Sequence, residues 1–263
     1  MTTTWDAESV LAAANAWVWV PDGAQQQRTD GYSVVAPPPF IPLPVMVRVF
    51  GSEAEPAELI EDVSAVARGW GRDQLSWRLS DFTRPFGLEA ELLRRGAWVE
   101  EHVHVLALPL TEELPDFGVP DDVVVRRVAD EETVRDLLVV SNDAFHEPPP
   151  TPELVEHSLA ELQAGLKDDS GGRVIAYLND RPASTGGWTL DGEVCRLWGG
   201  ATHSELRGRG AYRAVLTERL RLARAAGATL ALTFGRVATA SPILTTLGFR
   251  RYGDERFVLL NLT

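Results

Sequence analysis

A basic, glycine-rich turn constrains this chain more than any other feature. In the segment Leu197-Trp198-Gly199-Gly200-Ala201-Thr202-His203-Ser204-Glu205-Leu206-Arg207-Gly208-Arg209-Gly210-Ala211-Tyr212-Arg213-Ala214-Val215-Leu216, a strand pattern ends near Thr202 and a helix pattern begins near Gly210. Glycines admit backbone conformations closed to other residues, so successive N–H groups can converge on one concavity. A helix starting there adds unpaired N–H donors and the positive end of its dipole. Strand, turn and helix in that order suit a pyrophosphate, with Arg207 and Arg209 at the rim. The segment lacks the Gly-Lys-Ser/Thr ending of a Walker loop and is not the Gly-x-Gly-x-x-Gly dinucleotide fingerprint.

The surrounding pattern predicts a sheet with helices packed on it. Val123 to Val128 reads as a strand, and Glu131 to Phe145 as an amphipathic helix with Val134, Leu137, Leu138 and Ser141 at helical spacing. His146-Glu147-Pro148-Pro149-Pro150 breaks that helix, and Thr151 with Pro152 opens another to about Leu166. Arg173 to Leu178 and Ala183 to Leu190 flank Asn179-Asp180 as a hairpin, and Asp191-Gly192 turns into a strand from Glu193 to Thr202. A helix from about Gly210 to Ala226, a strand from Thr229 to Phe234, a short helix from Ser241 to Leu247 and a strand from Glu255 to Leu262 follow. The class is α/β, in the form of an α+β mixed sheet, and not a pure Rossmann alternation.

The acidic, proline-bearing stretch from Pro109 to Asp122 has no hydrophobic period and suits an interdomain linker. The expected organisation is one domain over residues 1–110, a linker over 111–122 and a second domain over 123–263, sizes that a 263-residue chain accommodates. The halves also echo each other. Leu92-Leu93-Arg94-Arg95-Gly96-Ala97, followed by the strand Val103 to Leu108, matches Leu244-Thr245-Thr246-Leu247-Gly248-Phe249, followed by Phe257 to Leu260. Upstream, Val66-Ala67-Arg68-Gly69-Trp70-Gly71 resembles Leu222-Ala223-Arg224-Ala225-Ala226-Gly227. Two matched segments in the same order point to a diverged internal duplication, of which only the second copy has the Arg-Gly-x-Gly turn.

Composition narrows the function classes. The net charge of −13 repels phosphate backbones, so nucleic acid is not an expected partner; the same field attracts a cationic amine and also keeps a protein in solution. No apolar run reaches the roughly 18 residues of a membrane span, and Met1 to Trp5 carry no signal-peptide pattern, so the expectation is a cytoplasmic protein without a membrane partner. Cys195 is the only cysteine, which excludes an internal disulfide and a cysteine-based zinc site; no metal is expected.

The glycine-rich segment resembles motif A of the GNAT superfamily of N-acetyltransferases, Arg/Gln-x-x-Gly-x-Gly/Ala: Arg207 stands at the first position and Gly210 at the fourth, while Tyr212 replaces the small sixth residue. The resemblance is good from about Val123 to Leu262 and only a general pattern before that, so it implies two tandem GNAT-like domains, each a mixed β-sheet flanked by helices, with a degenerate first copy. It implies that Gly200, Ala201 and Thr202 line the pantetheine arm of acetyl-CoA, and that Gly208, Arg209, Gly210, Ala211, Tyr212 and Arg213, with Arg207, contact its phosphates. The family's motif B, Asn-x-x-Ala-x-x-x-Tyr-x-x-x-Gly-Phe, is met by Ala240 and Gly248-Phe249, but Val237 holds the Asn position and Leu244 the Tyr position. That tyrosine commonly protonates the departing thiolate in the family, and leucine has no proton to give.

The implied activity is acetyl-CoA-dependent acetylation of a small-molecule or peptide amine by direct attack on the thioester, in a monomer or homodimer. A backbone N–H near the Gly199-Gly200 bend, where strands splay, is a candidate to polarise the thioester carbonyl. Candidate proton-transfer groups are Glu193 and His203, at the two ends of one strand, and Tyr252, the nearest tyrosine after Gly248-Phe249. His146 and Glu147 sit in the loop that often walls the acceptor site in this family, and Trp188 and Trp198 are candidates to line the pocket. The competing reading is a non-catalytic acyl-CoA sensor or pseudoenzyme, motivated by Leu244 and Val237; an acyltransferase with a longer donor is a third.

Overall fold

The computed structural model describes residues 4–167 and 170–262. In chain order the elements are α1 (Ala7–Ala16), β1 (Gln25–Arg28), β2 (Tyr32–Ala36), β3 (Val45–Val49), α2 (Pro56–Gly69), β4 (Gln74–Ser80), α3 (Leu88–Arg94), β5 (Trp98–Pro109), β6 (Val123–Arg127), α4 (Glu131–Phe145), α5 (Pro152–Lys167), β7 (Gly171–Leu178), β8 (Arg181–Asp191), β9 (Val194–Thr202), a 3-10 turn (Ser204–Leu206), α6 (Ala211–Ala225), β10 (Leu230–Arg236), α7 (Ala240–Thr246) and β11 (Arg250–Asn261). They form two compact units. The N-terminal unit holds residues 7–105, 235–243 and 251–262, and the C-terminal unit holds residues 4–6, 106–234 and 244–250. The units are thus not contiguous stretches of chain: β11 pairs antiparallel with β4, from Glu255↔Ser80 to Asn261↔Gln74, and so counts with the N-terminal unit.

In the N-terminal unit the strands run in the order β1-β2-β3-β4-β11-β5. The pairs β1/β2 and β2/β3 are antiparallel and β3/β4 is parallel. Val45, Val47, Leu75, Trp77, Val258 and Leu260 alternate onto one face and bury against Leu59, Ile60, Val63 and Leu92 of α2 and α3. In the C-terminal unit the order is β10-β9-β8-β7-β6, antiparallel from β6 to β9 and parallel between β9 and β10. The two-residue period of β7 sorts its side chains: Val174, Ala176 and Leu178 pack under Ala211 and Val215 of α6, while Ile175 and Tyr177 pack under Val134, Leu137, Leu138 and Val155 of α4 and α5. Each unit is therefore a mixed sheet flanked by helices.

Local chemistry sets the boundaries. Asp130 caps α4 by accepting from the Thr133 N–H at 2.9 Å, and Thr133 Oγ1 accepts from the Asp130 N–H at 3.3 Å, a closed capping box. Asn179 and Asp180 both take positive φ, 50° and 60°, as a two-residue hairpin loop requires. The next hairpin pairs Asp191 with Val194, so its turn centres on Gly192-Glu193, one residue later than the sequence pattern suggests, and Glu193 is a turn residue.

The suspected duplication has a backbone counterpart. At the end of α2 the Gly71 N–H donates to Arg68 O and the Arg72 N–H to Ala67 O, both at 2.9 Å; at the end of α6 the Gly227 N–H donates to Arg224 O and the Ala228 N–H to Ala223 O, both at 3.0 Å. The same cap closes α3, with the Ala97 N–H on Leu92 O at 3.0 Å, and α7, with the Phe249 N–H on Leu244 O at 3.0 Å. All four use a glycine at positive φ (Gly71, Gly96, Gly227, Gly248), so the matched glycines occupy one conformational role in both copies.

The stretch between the expected domains is not a free tether. Leu110 and Phe117 are buried, and the Leu110 N–H donates to Thr229 O at 2.8 Å, within the C-terminal unit. Among the described residues no helix is long and apolar enough to cross a membrane.

Candidate functional site

Strand β9 carries an irregularity at the Gly199-Gly200 bend. Its ladder with β8 shifts register between Ala201↔Thr185 and Trp198↔Gly187, so Gly199 and Gly200 oppose the single residue Gly186. Gly199 takes φ 58°, a conformation that favours glycine, and the result is a β-bulge. On its other edge β9 pairs with β10 only from Val194↔Leu230 to Leu197↔Thr233, the last step reinforced by the Thr233 hydroxyl donating to Leu197 O at 2.9 Å. Residues 198–202 of β9 therefore run on without a β10 partner. A free strand edge of that kind offers its peptide groups to an extended, amide-bearing ligand arm.

The turn after β9 ends in an anion-binding geometry. Gly208 (φ 76°) and Gly210 (φ 83°) both lie in the left-handed region, and Gly210 is the N-cap of the 15-residue helix α6, with no side chain capping it. No backbone N–H of residues 207–213 donates to a described residue. Gly208 and Arg209 are exposed, and the helix dipole adds about half a positive charge at this point. Arg207, Arg209 and Arg213 make no ion pair with a described carboxylate; Arg207 instead donates from Nε to Thr202 O at 3.4 Å. The Pro120 ring lies against Gly210, where any Cβ would stand 2.5 Å from Pro120 Cγ, and Arg213 lies between Gly118 and Gly210. The connecting stretch thus walls one side of the turn while the amides stay uncommitted.

Asp143 on α4 holds the turn from outside. It accepts from the Ser204 N–H at 2.5 Å and from the Ser204 hydroxyl at 3.0 Å. The Ser204 N–H bond holds the Asp143 carboxyl below the usual carboxylate range, against a desolvation cost, with further help from the Ser204 hydroxyl and the nearby His203 and Arg207.

The N-terminal unit shows what a copy without these features looks like. There β3 pairs with β4 from Val45↔Leu75 to Arg48↔Arg78 and ends one residue later, at Val49, so only a single residue overhangs. Its helix α2 opens with Glu55, Pro56 and Glu58, which set negative charge at the helix start where α6 has none. At the last strand pair, Arg48 and Arg78 both bind the buried Glu255, and Arg48 also binds Asn15. The N-terminal counterpart of the unpaired β9 edge is thus paired and filled by a buried ionic cluster.

The candidate catalytic residues do not converge on the bulge. His203 lies five residues beyond Trp198, about 16 Å along an extended strand, with Nδ1 directed at Asp143 at 3.7 Å. Glu193 lies five residues before Trp198, exposed in the turn that precedes β9, its carbonyl accepting from the Thr229 N–H at 2.8 Å. Both sit at strand ends, one beside the glycine-rich turn and one at the opposite end. Tyr252 belongs to the N-terminal unit and Leu244 to the C-terminal one; Leu244 is 2 % exposed and its backbone caps α7. His146 is the left-handed C-cap of α4 (φ 56°), and both it and Glu147 are exposed, with their N–H groups turned back to Asn142 O.

Trp188 is 1 % exposed, so it packs in the core and does not line an open pocket, because its position on β8 turns it onto the buried face. Trp198 is half-buried; its Nε1 donates to Thr189 Oγ1 at 2.9 Å, Arg173 stacks on it at 4.6 Å, and its ring lies flat on Gly187. Gly200 and Thr202 remain on the unpaired edge, Ala201 is buried there, and the Tyr212 ring packs on Gly200, where a Cβ would lie 3.1 Å from Tyr212 Cε2. The Tyr212 side chain is thereby accommodated against β9 while its N–H stays in the turn. Spacing gave no access to Asp143, Pro120 or Gly186, because each meets the site from another element of the chain.

No family model matches the sequence, and no curated protein matches it. Solved structures do match over nearly the whole chain. A GCN5-related N-acetyltransferase from Kribbella flavida aligns at 20 % identity and TM-score 0.65, covering 97 % of this chain and 95 % of that one. Another from Sphaerobacter thermophilus aligns at 14 % identity and TM-score 0.66, over 97 % and 85 %. A tandem GNAT protein from the clavulanic acid biosynthesis pathway aligns at 15 % identity and TM-score 0.60, over 92 % and 85 %. At these identities the likeness speaks for the fold: this chain has the tandem GNAT fold.

Proposed function

We propose that the protein is an acetyl-CoA-dependent N-acetyltransferase with one cofactor site, in the C-terminal unit. The observation that carries this reading is the run of uncommitted amides over residues 207–213, at the start of α6 and next to the unpaired edge of β9. The pyrophosphate binds those amides with Arg207, Arg209 and Arg213 around it, and the pantetheine arm lies along residues 200–202. The thioester then reaches the Gly199-Gly200 bulge, where a backbone N–H meets the negative charge growing on its oxygen. The acceptor is a small-molecule or peptide amine, drawn by the acidic surface and attacking as the neutral form. Much of the acceleration comes from holding amine and thioester together.

The second reading, a non-catalytic acyl-CoA sensor, is favoured by the aliphatic, buried Leu244 at the tyrosine position. Isothermal titration with acetyl-CoA, followed by thiol release over a panel of amines, tests both. One site per chain with turnover supports the enzyme; one site without turnover on any amine supports the sensor; no binding, or two sites, rejects the reading.

A further inference from the structure

Behind the bulge lies a buried charge. Arg219, on the third turn of α6, is 1 % exposed, yet no described carboxylate pairs with it. Its Nη1 donates to Gly187 O at 3.2 Å and to Trp198 O at 3.5 Å, and its Nε to Val215 O at 3.4 Å; Nη2 has no hydrogen-bond partner. Gly187 and Trp198 are the cross-strand pair that flanks the bulge. Next to them, a Cβ on Gly186 would stand 2.7 Å from the Arg219 guanidinium carbon, so the single residue opposite the bulge is a glycine because the guanidinium occupies its side-chain space. The Tyr212 ring, 5.9 Å from the guanidinium, covers the neighbouring Gly200 on the same side. A lone buried cation is costly, and carbonyl dipoles offset only part of that cost.

We infer that Arg219 is a positioning residue for acyl transfer: it holds the Trp198 and Gly187 carbonyls toward α6, fixes the bulge that presents the Gly199 N–H, and sets a positive charge without a paired carboxylate behind the reacting thioester. The inference rests on the acetyl-transfer reading. A carbonyl bound to a guanidinium polarises its own peptide, which makes the following N–H, that of Gly199, a stronger donor. The buried charge also stabilises the thiolate that leaves as the C–S bond breaks and the C–N bond forms. The proton carried by the attacking nitrogen after the C–N bond forms passes to the thiolate, directly or through a water, giving the amide and the free thiol, so the motif needs no tyrosine at position 244.

Two variants test this. Arg219→Met removes the charge and keeps the volume; Gly186→Ala leaves Arg219 in place but puts a methyl group in its seat. Both should bind coenzyme A within about threefold of the unaltered chain, and both should lower kcat about 10- to 100-fold with little change in KM, somewhat less than the loss of a direct oxyanion donor. In the ligand-free protein, the amide resonances of residues 198–201 should move in both variants while those of residues 207–213 stay. Arg219→Lys should recover part of kcat. Unmoved bulge resonances, or an unchanged kcat in a folded Arg219→Met, would overturn the inference. So would a loss of coenzyme A affinity as large as the loss of kcat, which marks a merely structural residue. If the unaltered chain binds no coenzyme A, the acetyl-transfer reading falls, and the ligand-free resonances still decide whether Arg219 shapes the bulge.

Discussion

Gly208 and Gly210 share a positive φ but differ in what surrounds them, and that difference predicts two distinct costs. Gly208→Ala adds a Cβ with nothing within 4 Å, so it suffers only the left-handed penalty, about 1–2 kcal/mol. Gly210→Ala suffers the same penalty and also drives a Cβ to 2.5 and 2.6 Å from two carbons of Pro120. Ordinary carbon contacts lie at about 3.5–4.0 Å, so roughly 1 Å of overlap must be relieved. Such overpacking costs about 1–3 kcal/mol more. Urea unfolding followed by circular dichroism should therefore rank Gly210→Ala below Gly208→Ala. Adding Pro120→Ala should return the steric part and none of the backbone part, a coupling of about 1–3 kcal/mol in a double-mutant cycle. Both glycine variants should also weaken coenzyme A binding at least about tenfold, since each turns amides away from the diphosphate and such charge-assisted bonds contribute about 1.5–3 kcal/mol. A coupling below about 0.5 kcal/mol would refute the contact between the connecting stretch and the turn. Unaltered coenzyme A affinity in both variants would refute the amide nest.

Glu255→Gln should destabilise the N-terminal unit by about 3–5 kcal/mol, because it leaves Arg48 and Arg78 buried without their carboxylate. Burial pushes the Glu255 carboxyl up, but the attraction of Arg78 and Arg48 and their hydrogen bonds outweigh it and hold the carboxyl below its ordinary range. Its stabilisation is therefore fully present above the ordinary glutamate value and is lost as pH falls through the lowered one. Denaturation midpoints against pH should fall more steeply on the acid side for the unaltered chain than for Glu255→Gln; parallel curves would count against the cluster. Asp143→Asn should raise the coenzyme A dissociation constant and leave kcat at saturation unchanged, since Asp143 holds Ser204 at the turn and not the bulge. A fall in kcat with unchanged affinity, measured by titration and steady-state kinetics, would contradict that placement.

The sequence by itself determined the elements whose causes are local. The helix over residues 131–145 is legible because its apolar residues repeat at helical spacing, and the cap that the structure shows at its start, Asp130 with Thr133, is equally local. The turn at residues 207–211 is legible because glycine alone enters positive φ cheaply, and a strand before it with a helix after it admits few other geometries. The internal repeat was visible for the same reason, as the matched glycines close equivalent helices in both copies. Only tertiary structure decided the rest. The sequence sets Glu193 and His203 at the two ends of one strand, but only pairing with β8 and β10 fixes the register that places the bulge at Gly199-Gly200 between them and puts Glu193 in the turn before the strand. Trp188 and Trp198 have the same side chain ten residues apart, and burial, not composition, makes one a core residue and the other a half-exposed ring on Gly187. Arg219 reads in the sequence as one more helix arginine, and it becomes a lone buried charge because the fold sets α6 across Gly186, where the missing side chain leaves it room.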